Sequence, residues 1–420
     1  MVTFEKHILS NGMRVIAHRD PSTPMAAFNL LYDVGARDEH PGHTGFAHLF
    51  EHLMFEGSVN IPDFDARLQS AGGENNAFTT NDLTNYYITL PAGNLETAFW
   101  LESDRMLGLA LHEEKLSIQK KVVEEEYLQS YLNQPYGDTW LLLRPLAYQK
   151  HPYQWATIGK SLDHIRQATL KQVAGFFDAF YHPGNAILSV SGNIDPEAVF
   201  RLAEKWFGSI PALHRPARKL PAEPLQTAER RLVVRRNVPS SQVFLAFHCC
   251  ERGHPDFFAT DLLSDLLAHG DSSRLFTKLV KEENLFSEVD AYLSGSLDPG
   301  LFLVHARLHD GITALQAEAA IWKELEDLTG KAPGEEELQK VKNKVESAHT
   351  FSETNVLGKA INLAYHELMG DADLINRQMV HYFGVSADDI QARARHLFKR
   401  ENASVLHYLA DETPDLTNIG

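Results

Sequence analysis

The sequence from Thr44 to Gly57 contains two histidines and one glutamate at a spacing that places all three on one face of a helix. Residues three and four apart are neighbours on a helix surface, so His48, Glu51 and His52 are expected to lie together. The intervening apolar residues follow the same period on the opposite face, which would pack into a core and hold the polar face rigidly. The stretch therefore predicts two metal-binding imidazoles on one helix, with a carboxylate beside the water on the metal.

A catalytic zinc ion takes three protein ligands and keeps a fourth position for water. The order His-x-x-Glu-His is typical of one class of zinc peptidases, so a third ligand is expected downstream. The segment 113–133 is predicted to be a long helix that ends before Pro135, and it carries Glu124, Glu125 and Glu126. Any of the three could be the ligand on chemistry alone, although consecutive glutamates are also typical of a solvated helix face.

Four stretches of the chain resemble the pitrilysin, insulin-degrading enzyme and mitochondrial processing peptidase family of zinc peptidases. They are the histidine motif at 45–57, Gly-Gly-Glu-Asn-Asn-Ala-Phe-Thr-Thr with Thr-Asn-Tyr-Tyr at 72–87, Val-Val-Glu-Glu-Glu at 122–126 and Ser-Arg-Leu-Phe at 273–276. These stretches are distributed over both halves, so the resemblance covers nearly the whole chain. It implies that Glu126, at the fifth place of the Val-Val-x-x-Glu run, is the third ligand.

The resemblance implies one Zn²⁺ per chain, bound by His48, His52 and Glu126, with Glu51 as the catalytic base. It also implies a supporting residue seven places before the third ligand, where relatives commonly carry a glutamate and this chain has Gln119. An amide can still hydrogen-bond from that helix face, but it lacks the negative charge. A zinc affinity lower than typical is therefore expected.

The stretch 72–90 has a pair of glycines followed by an alternating, strand-like pattern. An open strand edge can pair with an extended peptide through main-chain hydrogen bonds, which gives affinity without demanding a sequence. By resemblance, Asn76 and Ala77 lie on such an edge beside the metal and bind substrate. Without the family context, an ordinary hairpin with a glycine turn explains the pattern equally well.

Length and charge limit the possible functions. A chain of 420 residues exceeds one ordinary core and predicts two domains. The formal net charge of −17 argues against a nucleic-acid partner, whose phosphates would be repelled, and favours basic peptides as substrates.

Cysteine usage and hydropathy give further expectations. The two cysteines, Cys249 and Cys250, are adjacent in an apparent strand and cannot form a disulfide framework, so buried thiols are expected. The N-terminus has no apolar signal segment, and the sequence has no apolar run long enough to cross a membrane. These features predict a cytoplasmic protein, or a periplasmic one if a leader has been removed.

Repeated prolines between 211 and 229 predict an interdomain linker. An N-terminal zinc-binding domain would span 1–210 and a C-terminal domain 230–420. When Gly57 is aligned with Gly270, Asp261, Ser264 and Asp265 fall opposite the motif residues, so the second half is predicted to be a degenerate copy without metal ligands. The resemblance implies the α+β class, with two similar domains that each have an antiparallel sheet packed against helices.

The second half departs from the family pattern at two positions. Active relatives carry an arginine and, seven residues later, a tyrosine after the Ser-Arg-Leu-Phe run, and both help to bind substrate and stabilise the oxyanion. This chain has Val280 and Ser287 there, and Lys281 and Tyr292 are displaced by one and five residues.

In two-subunit relatives these side chains come from the partner, so the chain is predicted to be the zinc-bearing subunit of a heterodimer with a related, metal-free subunit. A homodimer is the alternative assembly. The resemblance also implies two bowl-like halves around a chamber that admits peptides and unfolded segments. Two other function classes remain open, a non-catalytic assembly subunit and a module that binds peptides without cutting them.

Overall fold

The computed structural model describes residues 1–213 and 217–411. Its strands are β1 (Glu5–Ile8), β2 (Arg14–Arg19), β3 (Met25–Tyr32), β4 (Glu74–Thr79), β5 (Thr84–Pro91), β6 (Ala186–Gly192), β7 (Arg230–Arg236), β8 (Gln242–His248), β9 (Phe286–Leu293), β10 (Leu301–Leu308) and β11 (Ala403–Ala410). Its α-helices are α1 (Phe46–Leu53), α2 (Phe64–Ser70), α3 (Leu95–Leu107), α4 (Glu113–Tyr127), α5 (Thr139–Ala147), α6 (Leu162–Arg166), α7 (Leu170–Phe180), α8 (Pro196–Phe207), α9 (Phe257–Ala268), α10 (Ala314–Gly330), α11 (Glu335–Ser352), α12 (Val356–Leu368), α13 (Leu374–Gly384) and α14 (Ala387–Leu397).

The first compact unit contains residues 1–128, 151–222 and 347–378. Its sheet has the strand order β1-β2-β6-β3-β5-β4, in which β2 and β6 are parallel and the other neighbours antiparallel. The central strands β3 and β6 are buried along almost their whole length. Strands buried on both faces are expected where both faces of a sheet are covered. Strand β4 ends the sheet, and within the described residues it pairs with β5 alone.

The second unit contains 129–150, 223–346 and the described residues from 379 onward. Its sheet has the order β7-β11-β8-β10-β9, again with one parallel pair, β7 and β11. Its core joins the inner sheet face to the helices, with Phe247 against Trp322 and Phe398.

The predicted α+β class with two sheet-and-helix halves is confirmed. Each sheet differs from the expected purely antiparallel arrangement by its one parallel pair. The strands of these pairs are far apart in sequence, and long crossover connections permit parallel neighbours, whereas hairpins do not.

The compact units differ from the predicted contiguous domains, 1–210 and 230–420, in two segments. Residues 129–150 group with the second unit and residues 347–378 with the first. The second exchange has a clear physical cause, because Leu363 and Ala364 of α12 are fully buried in an apolar cluster with Ile16, Leu31 and Ile187 of the first sheet. Within the predicted linker 211–229, residues 214–216 lie outside the described residues, and the chain changes unit between 222 and 223.

Both cysteines are free thiols, with Cys249 buried and Cys250 half-buried. Burial raises the pKa of both thiols above the ordinary value, which keeps them protonated and unreactive. Among the described residues, no helix has both the length and the apolar character that crossing a membrane would require.

Candidate metal centre

Helix α1 is fixed by its apolar face. Leu49, Phe50 and Leu53 are fully buried. The ring of Phe50 stacks on Phe176 at 5.3 Å and on Tyr181 at 5.1 Å between centroids. Aromatic burial of this kind contributes much of the packing energy of a core. The opposite face of the helix therefore points in a fixed direction, and it carries the three motif residues.

His48, His52 and Glu126 lie together. His48 Nε2 is 3.5 Å from Glu126 Oε1, and His52 Nε2 is 3.3 Å from Glu126 Oε2. The two imidazole rings are nearly perpendicular, with centroids 4.8 Å apart. In the described part of the chain, this is the one group of three metal-binding side chains whose donor atoms all lie within 4.8 Å of one another.

The spacing of these donors fits a small tetrahedral ion. Zinc binds imidazole nitrogen and carboxylate oxygen at about 2.0–2.2 Å, so two ligand atoms of a tetrahedral site are separated by about 3.3–3.5 Å. The two nitrogen–oxygen distances of the group match this separation. Two imidazoles and one carboxylate are also a donor set that catalytic zinc uses.

The protonation states suit metal binding. Burial lowers the pKa of His48, although Glu126 opposes the shift, so the imidazole tends to be neutral. The hydrogen bond with His52 holds the pKa of the Glu126 carboxyl below its usual range, although burial opposes that shift. Neutral imidazole and ionised carboxylate are the forms that bind a metal.

The three consecutive glutamates of α4 point in different directions and have different surroundings. Glu124 accepts from Arg166 Nε at 3.1 Å, and Glu125 is exposed. Only Glu126 of the three is placed beside the two histidines. After Tyr127 the helix continues as a π-helical turn to Leu132, so the predicted long helix is regular only up to the third glutamate.

Glu51 lies on the same face of α1 and contacts the edge strand. Its Oε2 accepts a hydrogen bond from Thr79 Oγ1 at 2.6 Å. Thr79 is the last residue of β4, the strand predicted to bind peptides. The structure thus places the predicted base, the two histidines and the predicted peptide-binding strand in one region of the first unit.

Asn76 and Ala77 lie in the terminal strand β4, as predicted for an open edge. Asn76 is exposed, and its Oδ1 accepts from the main-chain N–H of Ala77 at 2.8 Å. An N–H that bonds to a neighbouring side chain is directed away from the ladder with β5. This edge is therefore available to an extended peptide.

Gln119 makes a contact that the sequence did not predict. Its Nε2 donates to Oε1 of Glu56, just beyond the C-terminal end of α1, whereas its Oε1 is buried without a partner among the described residues. Lys115 donates to the main-chain oxygen of Glu56. Gln119 therefore connects α4 to the end of the motif helix instead of bonding to a metal-binding histidine.

Glu39 is a residue of the site that sequence reasoning missed. The N-cap of α1 is Gly45, which has φ +89° and no side chain with which to cap the helix. A Cβ atom there would lie 2.8 Å from the main-chain oxygen of Ile158, so glycine is required. The fully buried Glu39 caps the helix instead, accepting from Gly45 N at 2.8 Å and Ala47 N at 2.9 Å. Burial raises its pKa to about 8, and these two donors oppose the shift.

Arg105 is a second missed residue, at the other end of α1. Its Nη1 donates to the Met54 main-chain oxygen at 3.4 Å, and its Nε and Nη2 bind the Glu102 carboxylate at 2.9 and 2.6 Å. Its guanidinium also lies over the rings of Phe64 and Tyr86. A cation at the C-terminal end complements the helix dipole.

The positions of the second half that align with the motif make ordinary contacts. Asp261 accepts from Tyr382 Oη at 2.5 Å, and Asp265 lies 2.6 Å from His269 Nδ1. Ser264 donates to the main-chain oxygen of Asp261 at 2.8 Å. None of these residues belongs to a group of metal-binding side chains in the described part of the chain.

The two positions that depart from the family pattern also lie in the second unit. Val280 packs against the apolar core, and Ser287 is an exposed strand residue. Lys281 donates to the main-chain oxygen of Asp271 at 2.9 Å, and Tyr292 is partly exposed.

Two family models match the chain. Residues 14–154 match the family model described as insulinase, peptidase family M16, and residues 167–345 match the model described as the peptidase M16 inactive domain. The zinc protease PqqE of Helicobacter pylori is 33% identical over 344 residues, which are 80% of this chain and 77% of that protein. The chain belongs to peptidase family M16. This confirms the family predicted from the sequence.

Other M16 relatives match over almost the full length. An uncharacterized zinc protease of Streptomyces coelicolor is 27% identical over 430 residues, covering 98% of this chain and 91% of that protein. The crystal structure of a protease from Helicobacter pylori superposes with a TM-score of 0.91 at 29% identity, covering 97% of this chain and 100% of that one. The two-domain M16 architecture therefore extends over the whole described chain.

Replacing Glu39 by alanine tests the anchoring of the motif helix. The Glu39→Ala change leaves two buried N–H groups without acceptors, and we expect it to lower the free energy of unfolding by about 2–4 kcal/mol. Chemical denaturation of the metal-free protein measures this change. Glu5→Ala, at an exposed glutamate of β1, is the control. Equal stability of the two variants would contradict the anchoring role.

Proposed function

We propose that the chain is a zinc metalloendopeptidase that uses His48, His52 and Glu126 as zinc ligands and Glu51 as general base. The observation that carries the proposal is the spacing of the three donor groups, which matches tetrahedral zinc, next to a carboxylate on the same helix face. Relatives named zinc proteases support it. One ion per chain is proposed, because the second half has no equivalent group among its described residues.

The chemistry then divides among the side chains of the site. Bound zinc supplies Lewis acidity, which lowers the pKa of a coordinated water and polarises a peptide carbonyl. Glu51 uses its carboxylate to take the proton of the attacking water and passes it to the leaving amine nitrogen. The hydrogen bond from Thr79 to Oε2 orients this carboxylate and leaves Oε1 for the proton.

The substrates proposed are extended peptides and unfolded segments. Strand β4, which contains Asn76 and Ala77, ends its sheet, so its outward-facing main-chain groups can pair with a peptide in an extended conformation. The formal net charge of −17 favours basic peptides through long-range attraction. The enclosing chamber that the family resemblance implies stays a prediction.

A partner subunit is proposed because Val280 and Ser287 stand where active relatives of the family carry the arginine and the tyrosine. The side chain of Val280 has no hydrogen-bond donor, and the short hydroxyl of Ser287 donates to the main-chain oxygen of Arg307. Lys281 donates to a main-chain oxygen of its own unit. We infer a related, metal-free subunit that supplies both groups. The same two positions also favour the second candidate function, a protein that binds peptides without cleaving them.

Glu51→Gln tests the assignment of the base. The amide keeps the size of the side chain but cannot take a proton, so kcat should fall by about 100- to 10,000-fold. Zinc content and peptide binding should remain unchanged, because Glu51 is not a proposed ligand. Cleavage of a quenched basic peptide by zinc-loaded protein gives kcat, and metal analysis gives the zinc content. Equal turnover in the variant and the unaltered chain would contradict the proposed function.

The ligand assignment is tested by a matched pair on α4. Glu126→Gln should weaken zinc binding by more than about 100-fold, because loss of a supporting residue alone already costs about 10- to 100-fold. Glu125→Gln changes the neighbouring exposed glutamate and should bind zinc as the unaltered chain does. Competition with a chromophoric chelator measures both affinities. A larger loss of zinc affinity in Glu125→Gln than in Glu126→Gln would contradict the assignment of Glu126 as the ligand.

Reconstitution tests the partner. The chain alone should cleave peptides slowly, and addition of a related M16 subunit that carries the arginine and tyrosine should increase kcat/KM. Sedimentation of the mixture would show a one-to-one complex. Full activity of the chain alone as a homodimer would rule out the need for a partner. Peptide binding without any cleavage in the zinc-loaded complex would favour the second candidate function.

A further inference from the structure

Thr79 joins two parts of the site that have separate roles in the proposed function. Its hydroxyl donates to Glu51 Oε2 at 2.6 Å, and its main chain forms the end of the edge strand β4. We propose that Thr79 is a positioning residue, which couples the docking of a peptide on β4 to the orientation of the Glu51 carboxylate. The inference rests on the proposed function and extends it to a residue outside the metal-binding motif.

The hydroxyl of Thr79 is well placed to set the orientation of Glu51. Among the described residues, it is the one side-chain donor that bonds to this carboxylate. The terminal torsion of a glutamate is broad, so an unsupported carboxylate turns over a wide range. A single short hydrogen bond to Oε2 selects one orientation. Oε1 then remains unbonded within the described chain and can accept the proton of water.

The main chain of Thr79 lies where a peptide would pair. The hairpin between β4 and β5 is closed by Thr80 N, which donates to Leu83 O at 2.8 Å. Hydrogen-bonded and non-hydrogen-bonded pairs alternate along an antiparallel ladder. The next pair, Thr79 with Thr84, is therefore non-hydrogen-bonded, as is the pair of Ala77 with Tyr86. The N–H and C=O groups of Thr79 and Ala77 face the open edge of the sheet.

The side chain of Thr79 extends from the face of the sheet toward Glu51, whereas its main chain lies at the open edge. It shares a sheet face with Thr84 and Tyr86, which are buried and directed toward the core below α1. Threonine is β-branched, so its hydroxyl keeps a nearly fixed direction relative to the main chain. A shift of the strand on peptide binding therefore moves the hydroxyl, and with it the carboxylate of Glu51. The pairing of a peptide with β4 and the orientation of the Glu51 carboxylate are therefore coupled.

Three variants test the coupling. Thr79→Val keeps the branched shape and removes the hydroxyl, Thr79→Ser keeps the hydroxyl, and Thr89→Val is the control. Thr89 lies in the neighbouring strand β5, and its hydroxyl has no hydrogen bond within the described chain. Each zinc-loaded variant is assayed for kcat and KM on the quenched basic peptide. Zinc content and the unfolding midpoint are measured in parallel.

We expect Thr79→Val to lower kcat by about 10- to 100-fold, the value of one hydrogen bond to a charged group. KM, zinc content and unfolding midpoint should stay close to those of the Thr89→Val control. Thr79→Ser should recover most of the lost turnover. In the Glu51→Gln background, Thr79→Val should leave peptide binding unchanged when measured by fluorescence anisotropy.

Other outcomes overturn the coupling. Normal turnover of Thr79→Val, or turnover of Thr79→Ser as low as that of Thr79→Val, would show that the hydroxyl does not position the base. An effect confined to KM and to peptide binding would show that Thr79 contributes to peptide binding on β4 and does not position the base. If Glu51→Gln also cleaves normally, or the unaltered chain does not cleave even in complex with a related M16 subunit, the proposed function itself fails and this inference fails with it.

Discussion

The placement of helix α1 is the constraint on which the rest of the site depends. An imidazole can bind a metal only if its direction is fixed, and here that direction comes from a helix whose apolar face is stacked in an aromatic core. Buried polar side chains hold the two ends, Glu39 at the N-terminus and Arg105 at the C-terminus. The polar face between them is thereby oriented toward α4 and β4 by contacts of residues other than His48, Glu51 and His52.

The two halves show how one architecture serves different purposes. Both have a mixed sheet covered by helices, and in both a helix follows a strand in the interior of the sheet, α1 after β3 and α9 after β8. In the first half that helix carries the metal-binding face. In the second half the aligned residues Asp261 and Asp265 bond to Tyr382 and His269, which are structural contacts. The chemistry therefore belongs to particular side chains and not to the fold.

The sequence predicted what depends on local periodicity, and it missed what depends on distant contacts. The motif helix follows from residues three and four apart, whereas the edge position of Asn76 and Ala77 followed from the family resemblance. The choice among Glu124, Glu125 and Glu126 came from the family resemblance, because all three are chemically equivalent and the local pattern does not distinguish them. Glu39 had no pattern to reveal it, because its partners are main-chain groups, and the contact of Arg105 with the Met54 main-chain oxygen was hidden for the same reason. The exchange of residues 347–378 likewise depends on long-range burial that periodicity does not encode.

The most direct measurement is anomalous X-ray diffraction from crystals of the zinc-loaded chain, collected above and below the zinc absorption edge. The account predicts one zinc peak per chain, within about 2.2 Å of His48 Nε2, His52 Nε2 and a Glu126 oxygen. Glu51 should lie beside the peak without binding it. A peak at another cluster, or one bound by Glu125 or by Glu51 in place of Glu126, would contradict the account.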